Sequence, residues 1–300
     1  MTSRHAPCVS VGMPVFDSEV TITAAIRSIL NQTFSDWELL IIDDGSSDGT
    51  IRLARAYSDP RIHVFSDGTH QGLAARLNQL VRVSGGKYFA RMDGDDVSYP
   101  ERLALQVKYM ERHPEVDLLG GGVLVFGRDG KPLGTRKVPT THESICRRPW
   151  KGFYLTHPTW MGRTKWFHEH PYSSDAPRCE DQDLLLRTHE CSRFAALPEI
   201  VLGYREEQLS LTKILTSRKY FAAAVVRRAI SRQEYLIAAA ALIEQALKGV
   251  ADSVAIITGL NHRLLRHRAL PIAGAAPKQR WQEVWEKVQL EKGAFHSAAS

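Results

Sequence analysis

Cysteine is scarce in this sequence. The four present, Cys8, Cys146, Cys179 and Cys191, form no CxxC pair and keep no regular spacing. That argues against a zinc site or a disulfide framework and fits a reducing compartment. Long apolar runs are missing too. The most apolar stretches, LIAAAALI and VAIITGL, are too short to span a bilayer, which takes about 20 residues. The opening MTSRHAPCVSVGMPVF lacks the long apolar core of a secretory leader. No internal repeat or low-complexity linker stands out. What remains is an ordinary composition, 43% hydrophobic and 24% charged over 300 residues. Such a chain has the means for a sizeable core and is not expected to be disordered. Its length suits one large domain, or one domain with an extension.

Charge is unevenly placed. Of 39 Lys+Arg and 33 Asp+Glu, 14 and 6 lie from Lys213 onward, leaving 25 and 27 before it. A slightly acidic body is followed by a basic region. Solvated faces on ordinary helices account for this as well as an anionic partner does, whether membrane surface or nucleic acid.

Residues 8–113 alternate between two patterns. VSVGMPVF, WELLIIDD, RIHVFS and KYFARMD read as strands. EVTITAAIRSILNQ, DGTIRLARAYS, GLAARLNQLVRVS and PERLALQVKYMERH have helical spacing of apolar residues. Asp48 is placed to cap the second helix and Pro100 to open the fourth. Repeated strand–helix alternation implies right-handed crossovers and a mostly parallel sheet covered on both faces, an α/β fold. After His113 the rhythm breaks. VDLLGGGVLVFGRDGKPLG reads as a strand and a hairpin around Arg128–Lys131. Residues 139–179 read as irregular loops with a short helix, EDQDLLLRTHE as a helix opened by acids, and EIVLGYRE as a last strand. From about Leu211 the pattern is helical and apolar over much of the circumference, so these helices should be buried or pack on a partner.

In open parallel sheets, ligands bind beyond the carboxyl ends of the strands. Three polar turns fall there: Pro14-Val15-Phe16-Asp17, Asp43-Asp44-Gly45-Ser46-Ser47-Asp48 and Asp93-Gly94-Asp95-Asp96. One such turn means little, because Asp, Ser and Gly are ordinary turn residues. Convergence of two acidic turns on one edge means more. Neither is a calcium loop of the EF-hand kind. Counted from Asp44, the twelfth position is Arg55 where a bidentate Glu is needed. Counted from Asp93, the sixth is Ser98 where Gly is needed. Aspartates two apart on a turn suit a hydrated Mg²⁺ or Mn²⁺ completed by phosphate oxygens.

In order and spacing, VSVGMPVFDSE, AIRSILNQTFSDWELLIIDDGSSDGT, GLAARLNQL, YFARMDGDDVSYPERLALQV, HPTWMGR and EDQDLLLR resemble a family 2 glycosyltransferase of the A-type, a nucleotide-diphospho-sugar transferase. The likeness covers residues 8–205 and is far more specific than a lone Asp-x-Asp. It implies a Rossmann-like GT-A fold with a C-terminal helical extension: a catalytic domain over residues 1–212 and a helical region over 213–300. It implies that Pro14, Val15, Phe16, Glu19 and Asp44 line the nucleoside pocket, with Asp44 accepting the base N–H. Asp93, with Gly94 beside it, would face the ribose and the metal. Asp95 would be the direct ligand of Mn²⁺ or Mg²⁺, supported by Asp96. The ion would neutralise charge on the departing diphosphate. Arg76 and Asn78 are further donor-side candidates, although an exposed helix residue is the other reading for Arg76.

The same resemblance places the acceptor base in the Glu-Asp pair at a helix start, here Asp181 with Glu180 in support and Asp183 as a lesser candidate. In-line attack with one base would invert the anomeric centre. His157 and Trp160, or Trp150, are candidates for acceptor contact; an aromatic packed under a loop fits as well. Two departures stand out. YREEQLS has Glu206 and Glu207 where relatives carry a His, which leaves Arg205 as another source of a diphosphate contact. His70 stands where relatives often have Asn. The implied partners are a nucleotide-diphosphate sugar, a UDP-sugar favoured, and a glycan or lipid-linked acceptor of surface polysaccharide or glycolipid synthesis. No nucleic acid is implied, and the oligomeric state stays open. The expected setting is cytoplasmic, with peripheral membrane contact through the basic C-terminal helices, where Arg263, Arg266 and Arg268 adjoin Leu264 and Leu265. Two other readings compete. A sugar-nucleotide pyrophosphorylase would show Gly-x-Gly-x-x-Arg after strand one, which GMPVFDSE does not match. A non-catalytic docking module would suit the tail but not the full set of donor motifs with Asp181.

Overall fold

The computed structural model describes residues 6–136, 138–206, 210–258 and 270–290, with the Leu290 side chain left aside. Glu207 and the tail residues Arg263, Leu264, Leu265, Arg266 and Arg268 lie outside the described residues.

The strand–helix alternation is observed: β1 (Val9–Val15), α1 (Ile22–Leu30), β2 (Trp37–Asp43), α2 (Thr50–Arg55), β3 (Ile62–Ser66), α3 (Leu73–Val83) and β4 (Tyr88–Arg91). Then follow β5 (Val97–Ser98), α4 (Arg102–Arg112), β6 (Leu118–Phe126), β7 (Pro132–Arg136), α5 (His142–Ile145), β8 (Met161–Arg163), α6 (Thr164–Glu169), α7 (Glu180–Thr188) and β9 (Phe194–Arg205). Three helices end the described chain, α8 (Leu211–Ser231), α9 (Tyr235–Ile257) and α10 (Ala276–Leu290).

Among the described residues one sheet of nine strands runs β3-β2-β1-β4-β8-β6-β9-β5, with β7 on β6. β1 to β4 are mutually parallel. β8 runs against both β4 and β6, which restores their common direction, and β9 is parallel to β6. The sheet is therefore mostly parallel, and inner strands such as β1 and β6 are buried throughout because helices cover both faces. Two apolar clusters fill those layers, one under α1 and α4 and one under α3, α6 and α7.

Several details differ from the sequence reading. The segment read as loops holds β8, three residues whose pairing comes from β4 and β6 and not from any alternation of their own. β5 is shorter still. β9 starts before the expected Glu199; Pro198 has no N–H to donate, and the ladder shifts there between Leu197 and Ile200. Asp48 stands one residue before the α2 cap at Gly49, although its carboxylate still accepts the Thr50 N–H at 2.9 Å. Pro100 precedes the α4 cap at Glu101, and its carbonyl accepts the Thr33 N–H.

The C-terminal helices divide in their packing. α10 returns to the body, where Trp281 is 1% exposed among Tyr99, Phe126 and Trp285. Gly203 permits this, since a Cβ there would enter the Trp281 ring. α8 and α9 pack side by side. The inward face of α9 is small and polar: Ala238, Ala241, Gln245, Gly249 and Asp252, with Arg218 of α8 bonded to the last at 2.9 Å. Its outward face carries Leu236, Ile243, Leu247, Val250, Val254 and Ile257, all exposed. No exposed residue of α9 is charged.

Candidate active site

Parallel pairing brings the ends of β1, β2 and β4 to one edge. Pro14 and Val15 are buried in β1, so of the first turn they shape the floor. Beyond them the first and second turns are laced together. Asp17 N–H donates to Ser46 Oγ (3.0 Å), Ser47 N–H to Asp17 Oδ1 (2.8 Å) and Glu19 N–H to Asp48 Oδ2 (3.0 Å). The Glu19 carboxylate accepts the Gly49 N–H at 3.0 Å and pairs with Arg52, so it braces the turn. Phe16 is half exposed, its ring 4.9 Å from that of His70. These two rings form the open rim above Asp44.

Asp44 is buried and claimed by its own chain. Oδ1 accepts from Gln71 N–H (2.7 Å), Gly72 N–H (3.1 Å) and Arg76 Nε (2.9 Å). Oδ2 accepts from Gly72 N–H (3.1 Å) and lies 3.0 Å from His70 Nδ1. Gly72 has φ 86°, a backbone only glycine adopts freely, and this turns its N–H onto the carboxylate. In this structure the Asp44 carboxylate holds the 70–72 turn. Arg76 is not an exposed helix residue. It is 0% exposed and bridges Asp44, Asp67 and the Thr69 carbonyl. Removing one partner of a buried ion pair strands the other charge, at a cost of roughly 3–5 kcal/mol. Arg76→Met should lower stability by about that much in urea unfolding; a loss under about 1 kcal/mol would contradict the bridge. Asn78 binds the Tyr172 backbone in both directions, at 2.9 Å each, and so holds a loop.

The third turn holds Asp93, Asp95 and Asp96, each offering an oxygen within 4.8 Å of the others. Asp93 Oδ1 meets Arg91 Nη2 at 2.5 Å. Asp96 is 1% exposed; its Oδ1 accepts the Arg205 N–H at 2.8 Å, and its Oδ2 is buried with no partner among the described residues. Burial, and then the charges of Asp95 and Asp93, push the Asp96 carboxyl well above its usual range. Burial and then Asp93 push Asp95 up to about 6. Its surface remains open, and water there screens part of that push. Crowded carboxylates with one orphaned buried oxygen fit a hard divalent cation. Gly94 closes against Val15, and its carbonyl accepts from Thr21 Oγ1 at 2.8 Å. Arg205 Nε donates to the Asp95 carbonyl at 2.8 Å, which sets this guanidinium on the turn. Glu206 turns away, to Arg136 at 3.1 Å.

Arg91 is a site residue the sequence reading missed. It is 4% exposed, and its Nε and Nη1 have no partner among the described residues. Burial opposes its charge, but the carboxylates of Asp93, Asp96 and Asp181 outweigh that and raise its pKa. The available signal was an arginine ending a fully buried strand, YFAR.

Asp181 lies in the first turn of α7. Its Oδ2 accepts from Gln182 Nε2 at 3.2 Å. Gln182 in turn bonds both the N–H and the carbonyl of Phe153, at 2.7 and 3.2 Å. Burial raises the Asp181 carboxyl above its usual value, against the pull of Gln182 and Arg91. Glu180 is raised by burial too, and its Oε1 accepts the Arg178 N–H at 3.1 Å. Asp183 is buried and locked to Arg187 at 2.8 Å. The acceptor candidates are corrected. Trp160 is 0% exposed and donates its indole N–H to the Leu155 carbonyl at 3.2 Å. His157 is buried 2.9 Å from the Tyr172 hydroxyl and held neutral by burial and by Arg91. Neither presents a face to a sugar. Trp150 is half-buried against the second cluster.

Comparison with known proteins agrees with this layout. The model of a family described as glycosyl transferase family 2 matches residues 10–170. The putative glycosyltransferase EpsE of Bacillus subtilis is 39% identical over 193 residues, 62% of this chain and 68% of that one. The O-antigen biosynthesis glycosyltransferase WbnJ of Escherichia coli is 32% identical over 219 residues, 71% and 85% of the two chains. In fold, the mannosyltransferase PcManGT from Pyrobaculum calidifontis, solved with GDP-Man and Mn²⁺, superposes with a TM-score of 0.58 at 15% identity, over 95% of this chain and 86% of that one.

Proposed function

This chain belongs to glycosyl transferase family 2, and from that premise we propose that it moves a sugar from a nucleotide-diphosphate donor to an acceptor hydroxyl with inversion. The observation that carries this reading is Arg91. Its buried guanidinium pairs with Asp93 at 2.5 Å on the three-carboxylate turn, whose oxygens lie within 4.8 Å of one another, and leaves two further nitrogens unpartnered among the described residues.

On the donor side, Phe16 and His70 flank the nucleoside and Asp93 turns toward the ribose. Asp95, Asp93 and the unpartnered oxygen of Asp96 would hold Mn²⁺ or Mg²⁺, which when bound supplies charge neutralisation to the diphosphate. Arg205 adds a fixed positive charge beside that turn. On the acceptor side, Asp181 takes the proton as the acceptor oxygen bonds to the anomeric carbon. The bond from that carbon to the diphosphate oxygen breaks, and the nucleoside diphosphate leaves. One base and one displacement invert the centre. A panel of UDP- and GDP-sugars with Mn²⁺, read by release of nucleoside diphosphate, tests this, a UDP-sugar being the first to try. No release from any donor sinks the reading.

The name of WbnJ supports a surface polysaccharide or glycolipid as product. In this reading residues 1–212 carry the chemistry and the region from 213 serves the acceptor, at the cytosolic side of a membrane. Among the described residues no helix is long and apolar enough to cross one. The uncharged outward face of α9 in a basic region supports peripheral contact with an anionic surface. Leu247→Glu/Val250→Glu, both at exposed positions, should cut binding to phosphatidylglycerol vesicles by at least about tenfold, because each buried apolar side chain contributes roughly 1.5–3 kcal/mol. Equal co-sedimentation of the two proteins would remove the membrane from the proposal.

A further inference from the structure

Arg205 ends β9 beside the carboxylate turn. Its backbone N–H donates to Asp96 Oδ1 and its Nε to the Asp95 carbonyl, both at 2.8 Å. A guanidinium on a long side chain has many rotamers, and stacking on aromatic faces is one way to restrict them. Two rings stand against this one. Phe126 is paired with Arg205 across the β6–β9 ladder, its ring centroid 4.6 Å from the guanidinium carbon. Trp285 of α10 has its centroid 5.7 Å from the same carbon and 5.3 Å from the Phe126 ring. Arg205 is left 8% exposed.

The fold is shaped to bring Trp285 there. Trp281, one turn earlier in α10, donates its indole N–H to the Gly130 carbonyl at 2.7 Å and stacks 5.8 Å from Trp285. Gly130 has φ 77°, and a Cβ on it would enter the Trp285 ring. Arg27 Nη1 donates to the Val288 carbonyl at 3.1 Å and ties the helix to α1. A helix that only sealed the end of the sheet would need Trp281, Val284 and Val288, each of them buried. Trp285 stays half-buried; what it adds is a second ring on Arg205. We infer that Trp285 is a positioning residue for the transfer: it holds the Arg205 guanidinium on the Asp95–Asp96 turn, where that charge meets the donor diphosphate. The inference rests on the transferase reading for the diphosphate. It goes beyond that reading by making α10, in the region assigned above to the acceptor, part of the donor grip.

The test uses the full chain with isotope-labelled arginine and reads solvent exchange of the Arg205 Nε–H, the signal that Arg205→Lys removes. UDP affinity with Mn²⁺ is measured beside it. Trp285→Ala should speed the exchange at least about tenfold, as local opening does. It should weaken UDP by about five- to thirty-fold, the range of a cation–π contact shielded from water. Trp285→Phe keeps a ring and should restore most of both. Val288→Ala loosens the same helix, leaves both rings in place and should change neither. Equal exchange in Trp285→Ala and the parent overturns the inference. So does Val288→Ala matching Trp285→Ala in both readouts, since α10 would then only support the fold. Faster exchange with unchanged UDP affinity overturns the donor role. If none of the proteins binds UDP while the exchange difference is present, the donor reading fails and the hold of Trp285 on Arg205 is supported.

Discussion

Asp181→Asn is expected to lower turnover by about 10²–10⁴-fold, the range a positioned general base contributes, while UDP–Mn²⁺ affinity stays within about twofold of the unchanged protein, since Asp181 is given no donor contact. The substitution is close to isosteric. The Asn carbonyl can still accept from Gln182 Nε2, which bonds the present carboxylate at 3.2 Å, so Phe153 keeps its support. What is lost is the capacity to take a proton. The pH profile gives an independent reading. Burial raises the Asp181 carboxyl above its ordinary value of 3.8. The base is competent above that raised pKa and is protonated as pH falls through it. The acid limb of kcat/KM should therefore lie above pH 3.8, and it should vanish from whatever residual activity Asp181→Asn retains. The neighbours serve as controls. Glu180→Gln removes a half-buried carboxylate bonded to the Arg178 N–H and should cost far less. Asp183 is tied to Arg187, so Asp183→Asn should register in stability before it registers in rate. Full turnover in Asp181→Asn would pass the role to another group.

The second large effect is expected at the metal turn. Asp95→Ala and Asp96→Asn should each weaken Mn²⁺ binding by at least about 100-fold, because partners one step removed from a metal already contribute 10–100-fold. Turnover should fall with it, and chelation of the unchanged protein should abolish activity that Mn²⁺ restores. Asp96 offers a sharper test. Its Oδ2 is buried without a partner, and burial with two adjacent carboxylates disfavours its charge. An unpaired buried charge destabilises a fold. Asp96→Asn keeps an oxygen for the Arg205 N–H, which the present Oδ1 accepts at 2.8 Å, and discards the charge. The metal-free variant should therefore melt higher than the metal-free parent while having lost Mn²⁺ affinity. Destabilisation together with unchanged Mn²⁺ titration would mean that Asp96 only braces β9.

How much of this was legible beforehand depended on the range of the interaction. WELLIIDD followed by GSSDG is a buried run ending in turn formers, and such a signal is local. So is EDQDLLLR, acids opening an amphipathic turn. β8 was not legible, because three residues carry no periodicity and their ladder is supplied by β4 and β6. Trp160 and His157 looked available because aromatics among prolines suit a binding loop. In the fold Trp160 donates to the Leu155 carbonyl and His157 meets the Tyr172 hydroxyl.

By itself, the order of residues determined the family, the parallel frame and the edge on which the acidic turns meet. Those follow from hydrophobic period, turn chemistry and strand direction, all carried by neighbours along the chain. Only the packed molecule decided which polar atoms remain free to act. Asp44 and Asp96 are both buried aspartates after strands. Folding surrounds Asp44 with the N–H groups of Gln71 and Gly72 and the guanidinium of Arg76, so it braces the 70–72 turn. Folding gives Asp96 one N–H, from Arg205, and leaves its second oxygen unbonded among like charges. A carboxylate's role is set by the donors that reach it, and those donors come from distant parts of the chain.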